Sequence, residues 1–335
     1  MTLTIFIFGF LFGAILQYAS LNKFNVISGL ATLDNLAVAK AIVVAIGLGM
    51  ILLNIEIGMG YASYHVKPFI IGGIIIGGLI FGIGMAILGY CPGTLAISMG
   101  EGSLDAVVGI IGALFGGLVF TWVLPFIQGI LGPNLGAISL SSLVGGQSIF
   151  YILVFLIGSV FIAISFWLQR VDKYKDKNYK WLYAGIALAI LNVVVFSSFF
   201  TNRPIGASTT FPYVADVLAG AINNDYFVKI QKPGHWEMIF LLGAFFAALI
   251  ISLVKKDFKL QLIYSHWAEH KGTSSSKRIV WAFVGGFILM IGARMAGGCT
   301  SGHIISGGMQ VAVSSLVFAL FVFIGLLATG KWFYK

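Results

Sequence analysis

Apolar residues in this chain do not alternate with polar ones; they run on in long blocks separated by short polar breaks. The blocks fall at about residues 3–19, 36–57, 68–88, 104–128, 148–168, 181–201, 236–254, 279–297 and 310–329. Each is close to or beyond the roughly 20 residues that an α-helix needs to cross a bilayer. Nine transmembrane helices are therefore predicted. Four semi-apolar pieces too brief to cross lie between them, at 22–33, 91–99, 211–222 and 299–310, each flanked by glycine, proline or asparagine. Backbone can stop inside a bilayer only where it is buried in protein or lines a cavity, so these pieces predict re-entrant segments. The fold class expected is an all-α integral membrane protein lodged in the lipid bilayer.

Polar breaks orient the blocks. Arg170, Lys173, Lys175, Lys177 and Lys180 crowd one loop; Lys255, Lys256, Lys259, Lys271, Lys277 and Arg278 crowd another; Lys331 and Lys335 close the chain. The stretch 131–147 carries no charge. Basic loops stay in the cytoplasm, which puts the N-terminus outside and the C-terminus inside the cell. The first block lacks a basic leader and a small-residue cleavage site, and reads as a retained helix.

Residues are 59% hydrophobic and 9% charged, with a net charge of +9, and mean hydropathy is +1.01. The excess charge is what basic loops produce and does not indicate nucleic acid. No phosphate-binding Gly-x-x-x-x-Gly-Lys-[Ser/Thr] run occurs, and no metal or cofactor set stands out. His266 and His270 have helical metal-pair spacing, but without a third ligand they read as part of a solvated loop. Tyr90, Trp122, Trp167, Trp181, Trp236 and Trp281 fall near block ends and suggest an interfacial aromatic belt.

One motif occurs twice. At a constant offset of 208 residues, Gly78 matches Gly286, Gly84 matches Gly292, Gly89 matches Gly297, Cys91 matches Cys299 and Gly100 matches Gly308. Cys91 and Cys299 are the only cysteines. Five predicted spans separate the two starts, so the repeats have opposite orientation, as in transporters whose site lies between inverted repeats. Residues 1–128 form the first repeat, 129–180 a connector with one span, and 181–335 the second, inverted repeat.

The pair Gly89-Tyr90-Cys91-Pro92-Gly93-Thr94 and Gly297-Gly298-Cys299-Thr300-Ser301-Gly302-His303, each after a glycine-rich apolar helix, resembles the YeeE/YedE sulphur-transport family. The resemblance implies a bacterial inner-membrane permease for thiosulfate or a related sulphur or selenium species. It also implies a small cytoplasmic sulphur-carrier or sulphurtransferase partner. Many members carry a further cysteine after the first helix; here that segment holds Asn22 and Asn25 instead.

The candidate path comprises Cys91, Cys299, the glycines Gly89, Gly93, Gly298 and Gly302, Pro92, the hydroxyls of Thr94, Thr300 and Ser301, and His303, Arg294, Asn22 and Asn25. A thiol is a soft, weak donor suited to the terminal sulphur of thiosulfate, and glycine turns bare backbone N–H groups toward an anion. Each residue has a plainer reading. The cysteines could form a disulfide or simply pack, and the glycines could serve helix packing. Arg294 could pair with Glu56, while His303, Asn22 and Asn25 could cap short helices. Two rival functions stand beside the permease: a membrane sulphurtransferase forming a cysteine persulfide, and an assembly subunit that moves nothing.

Overall fold

The computed structural model describes residues 1–173 and 178–335; Lys175 and Lys177 of the first basic loop lie outside the described residues. Seven helices are long and apolar enough to cross a membrane among these, and Thr2–Tyr18 and Lys180–Phe196 are shorter apolar helices. The first half runs α1 (Thr2–Tyr18), α2 (Phe24–Ala31), α3 (Ala37–Gly58), α4 (Ile71–Leu88), α5 (Pro92–Gly100) and α6 (Leu104–Leu131). After α7 (Leu140–Leu143) and α8 (Gln147–Val171) come α9 (Lys180–Phe196), α10 (Thr210–Leu218), α11 (Asp225–Val254), α12 (Ser265–Lys271) and α13 (Ser275–Met295). A π-helical turn (Thr300–Ile305), α14 (Ser306–Met309) and α15 (Val313–Phe333) complete the chain. Short helices thus occupy all four of the brief pieces: α2, α5, α10 and the π turn with α14.

Packing follows from small residues. Lipid is as apolar as leucine, so helices in a membrane associate by close backbone approach at glycine and alanine. The central contact is α4 against α13. There a Cβ on Gly84 would strike the backbone of Leu289, and one on Gly292 would strike Phe81. These are equivalent pairs at the offset of 208. Around this seam α4 packs on α15 and α13 on α6, while α1 packs on α11 and α3 on α9. Helix α8 lies on α3, at the edge.

Short pairings fix the faces. Ala62 bridges Ser197, Ile70 bridges Asn134 and Ser139 bridges Ala312, gathering one set of loop ends. On the other face Lys173 pairs with Asp34 at 3.1 Å, and Asn25 bonds Ser265 at 2.9 Å. The described parts of both basic loops therefore meet the same segment after α1.

Three sequence expectations change. Arg278, grouped with a basic loop in the sequence, is wholly buried, as is Lys40 within the second apolar block. Lys40 pairs with Asp172 at 2.6 Å, and Arg278 pairs with Asp105 at 2.6 Å. The His266–His270 segment is not a solvated loop, because α12 inserts Trp267, fully buried, over the Arg278 guanidinium at 4.7 Å. Tyr90, Trp181 and Trp236 are buried and not interfacial, whereas Trp122 and Trp167 are exposed.

Candidate functional site

Helix α4 ends because Gly89 adopts left-handed backbone (φ 79°), and α13 ends likewise at Gly297 (φ 73°). Each break is followed by a cysteine at the N-cap of a new helical segment. At the first, the backbone N–H of Cys91 donates to Thr94 Oγ1 at 2.8 Å, and the Thr94 hydroxyl contacts Cys91 Sγ at 3.4 Å. The Cys91 sulphur also accepts from the Thr94 amide. The thiol is thus held beside the Thr94 hydroxyl, and its S–H remains a weak donor. Pro92 at N1 lacks the N–H that would be orphaned there.

At the second break Cys299 Sγ lies 3.3 Å from Ser301 Oγ. Both cysteines are free thiols, so the disulfide reading is set aside. Cys91, Gly93, Thr94, Thr300 and Ser301 line one small chamber of about 50 Å³ whose remaining wall is apolar, including Leu16, Leu21, Ile27 and Leu188. Thr300 Oγ1 is buried without a hydrogen-bond partner. Cys299 touches Ser301 but is not in the chamber wall, and is almost wholly buried.

Beyond Ser301 the chain opens into a second space. Gly302, Gly297, Lys67, Arg203, Lys229, Arg294 and Glu237 are among the residues lining a vestibule of about 490 Å³. Because Thr300 and Ser301 line the chamber and Gly302 the vestibule, the partition between them is the π turn itself. The vestibule lies on the face away from the basic loops and carries four cations against one carboxylate. Lys67 Nζ donates to the Gly297 carbonyl. Burial, with the neighbouring Arg294 and Arg203 charges opposing the attraction of Glu237, lowers its pKa to about 8. Arg203 stacks over Trp236 at 4.3 Å and sits 3.6 Å from Glu237.

Arg294 does not meet Glu56. Its Nε donates to Tyr226 Oη at 2.7 Å and its Nη1 to Thr209 Oγ1 at 3.2 Å. His303 lies at neither space: its Nε2 donates to the Ala296 carbonyl at 2.8 Å, and its Nδ1 meets Ser315 Oγ at 2.9 Å. Gly89 packs on Phe24, and Gly298 lies beneath Lys67. Asn22 is buried against Ser98 and Glu101, and Asn25 holds Ser265.

Sequence reasoning did not place Lys67, Arg203, Lys229 or Glu237 at the site. A signal existed. Lys67 is the one formally charged residue between Glu56 and Glu101, as Arg203 is between Lys180 and Asp216. Isolated cations on the face that basic loops avoid call for a reason other than topology.

A family model described as sulphur transport matches residues 5–328. The chain belongs to the sulphur-transport family. Thiosulfate transporter TsuA of Spirochaeta thermophila is 26% identical, over 95% of this chain and 94% of that protein. Thiosulfate transporter TsuA of Escherichia coli is 22% identical, over 87% of this chain and 83% of its own length.

Proposed function

We propose that this chain is a plasma-membrane permease that takes up thiosulfate through the vestibule and then past the thiols of Cys91 and Cys299. The chamber carries the reading: an unbridged thiol at Cys91, an uncommitted hydroxyl at Thr300 and otherwise largely apolar walls. Cations in the vestibule attract the dianion from water. The chamber offers it no cation, so contacts there are soft, and a conduction site must bind weakly enough to release. Reading the basic loops as cytoplasmic places the vestibule outside and makes the two cysteine turns equivalent parts of inverted repeats.

An activated thiolate needs a cationic neighbour; Cys91 faces none in its chamber, and Cys299, though within electrostatic reach of Lys67 and Arg294, is almost wholly buried, so the persulfide enzyme is the weaker reading. Net entry of a dianion opposes an inside-negative potential by about 2.3 kcal/mol per charge per 100 mV. Consumption by a cytoplasmic sulphurtransferase or sulphur carrier would supply one pull.

Uptake of labelled thiosulfate into proteoliposomes containing only this protein tests the proposal. Cys91→Ala and Cys299→Ala should each reduce uptake to near background with unchanged expression and melting. Parental rates in either variant would remove that thiol from the path. Labels reaching positions 169–173 and 255–278 from outside would reverse the orientation.

A further inference from the structure

The segment from Arg203 to Thr209 that walls the vestibule runs directly into α10. This helix has nine residues, too few to span, and packs on α6 and α11. It carries Asp216, which is wholly buried. Asp216 Oδ2 accepts from Thr121 Oγ1 at 2.9 Å, while Oδ1 is buried with no hydrogen-bond partner.

Comparison with the other buried carboxylates isolates it; Glu56, which also has an unpartnered oxygen, is only half-buried. Glu101 pairs with Lys23, Asp105 with Arg278, Asp172 with Lys40 and Glu237 with Arg203. Asp216 has no such cation among the described residues. The ionisable groups around it are few. Helix α6 carries only Asp105, at its opposite end, and α10 itself adds Tyr213. Helix α11 presents Asp225, Tyr226, Lys229, Lys232, His235 and Glu237. Of these Tyr226 lies within electrostatic reach of Asp216 and is also the hydroxyl that Arg294 holds. An unpaired buried carboxyl is stable as the neutral acid, since a lone buried charge is very costly. Such a group exists to be loaded and unloaded, and in membrane proteins carboxyls of this kind mark proton relays.

We propose that Asp216 is a proton-binding site that couples entry of the anion to entry of a proton. The inference rests on the permease reading above. One proton travelling with each dianion halves the charge moved against the potential and lets a pH gradient drive accumulation. Burial lifts the Asp216 carboxyl to about 6, and the Thr121 hydrogen bond acts the other way. Acid outside therefore loads the site, and neutral pH inside unloads it.

The test uses the whole protein in proteoliposomes and labelled thiosulfate. With the interior held near neutral, lowering the outer pH by about two units should accelerate uptake roughly tenfold, as the loaded fraction rises. Asp216→Asn, fixed as the neutral form, should lose this stimulation yet keep exchange of labelled for unlabelled thiosulfate at equal pH. If Asp216→Asn does not fold, Thr121→Val carries the test: losing a donor to the carboxylate should move the midpoint to higher pH. Wild-type uptake indifferent to the gradient, Asp216→Asn stimulated as strongly as wild type, or an unmoved midpoint in Thr121→Val would each overturn the proposal. Complete absence of wild-type uptake would instead sink the permease reading. Infrared difference spectra would then still decide whether the Asp216 carboxyl titrates near the expected pH, and a carboxyl that did not would overturn the coupling site by itself.

Discussion

The two cysteine turns solve one backbone problem with different chemistry. Each follows a helix that stops at depth, where the last carbonyls lose their intrahelical partners. The matched residues Leu88 and Ala296 both have their carbonyls capped by a side chain. At Leu88 the donor is the Arg278 guanidinium at 2.7 Å; at Ala296 it is the His303 imidazole at 2.8 Å. Arg278 is further balanced by Asp105, which Tyr90 also approaches at 3.1 Å, and lies between Phe24 and Trp267. His303 instead meets Ser315 and the Phe318 ring. A charged clamp serves the turn near the basic loops, and a polar side chain without a carboxylate partner serves the turn beside the vestibule. The turn beside the vestibule thus adds no carboxylate of its own, and among the described residues Glu237 alone balances the four vestibule cations.

The largest effect should come from breaking the charged clamp. Arg278→Gln leaves Asp105 buried and unpaired, which costs about 3–5 kcal/mol. His303→Phe keeps the ring stack but abandons the Ala296 carbonyl and Ser315 hydroxyl, at about 1–3 kcal/mol. Thermal unfolding in detergent ranks the two, and a greater loss for His303→Phe would reverse the comparison.

Next in size is the vestibule. Lys67→Gln should raise the KM for thiosulfate about tenfold, the effect of about 1.4 kcal/mol, with little change in melting temperature. Its charge is present below about pH 8. Apparent affinity should therefore fall as pH rises through that value, and Lys67→Arg should flatten the profile. A pH-independent KM in the wild type would show that Lys67 does not capture the anion.

The hydroxyls sharpen the contrast between the turns. Thr94 is committed to the Cys91 turn, so Thr94→Val should cost about 1 kcal/mol of stability, as for a lost cap. Thr300 has no partner, so Thr300→Val should leave stability within about 0.5 kcal/mol while still raising KM. Equal thermal losses would assign Thr300 a packing role. Smallest of all, Asn25→Ala removes a bond to Ser265 away from both spaces and should leave uptake unchanged.

Much of this was legible before any coordinates. Unbroken apolar blocks dictated helices, because only a self-satisfied backbone survives in hydrocarbon. The offset of 208 marked Gly84 and Gly292, which pack across the α4–α13 seam where contact distance requires small residues, and it marked the two cysteines that open the segments after α4 and α13. Cys91, Thr94, Thr300 and Ser301 were named from motif alone and share one chamber. Asn25 and His303 were named too, yet each is occupied elsewhere; a side chain that can reach an anion can equally reach a neighbouring carbonyl, and sequence spacing does not say which is nearer.

What only the tertiary structure decided concerns charge. Lys67, Arg203, Glu237 and Arg294 come from four separate stretches — the segment before α4, the segment after α9, α11 and α13 — and form a vestibule only because the fold brings them together. Arg278 reads as the end of a basic loop until α12 folds Trp267 over it. Asp216 reads as one more loop-edge acid until its burial and lack of a cation are seen. Local sequence determines where the backbone can hydrogen-bond itself, since that depends on near neighbours. Whether a charge is paired, exposed or stranded depends on residues far away in the chain, and the fold alone supplies them.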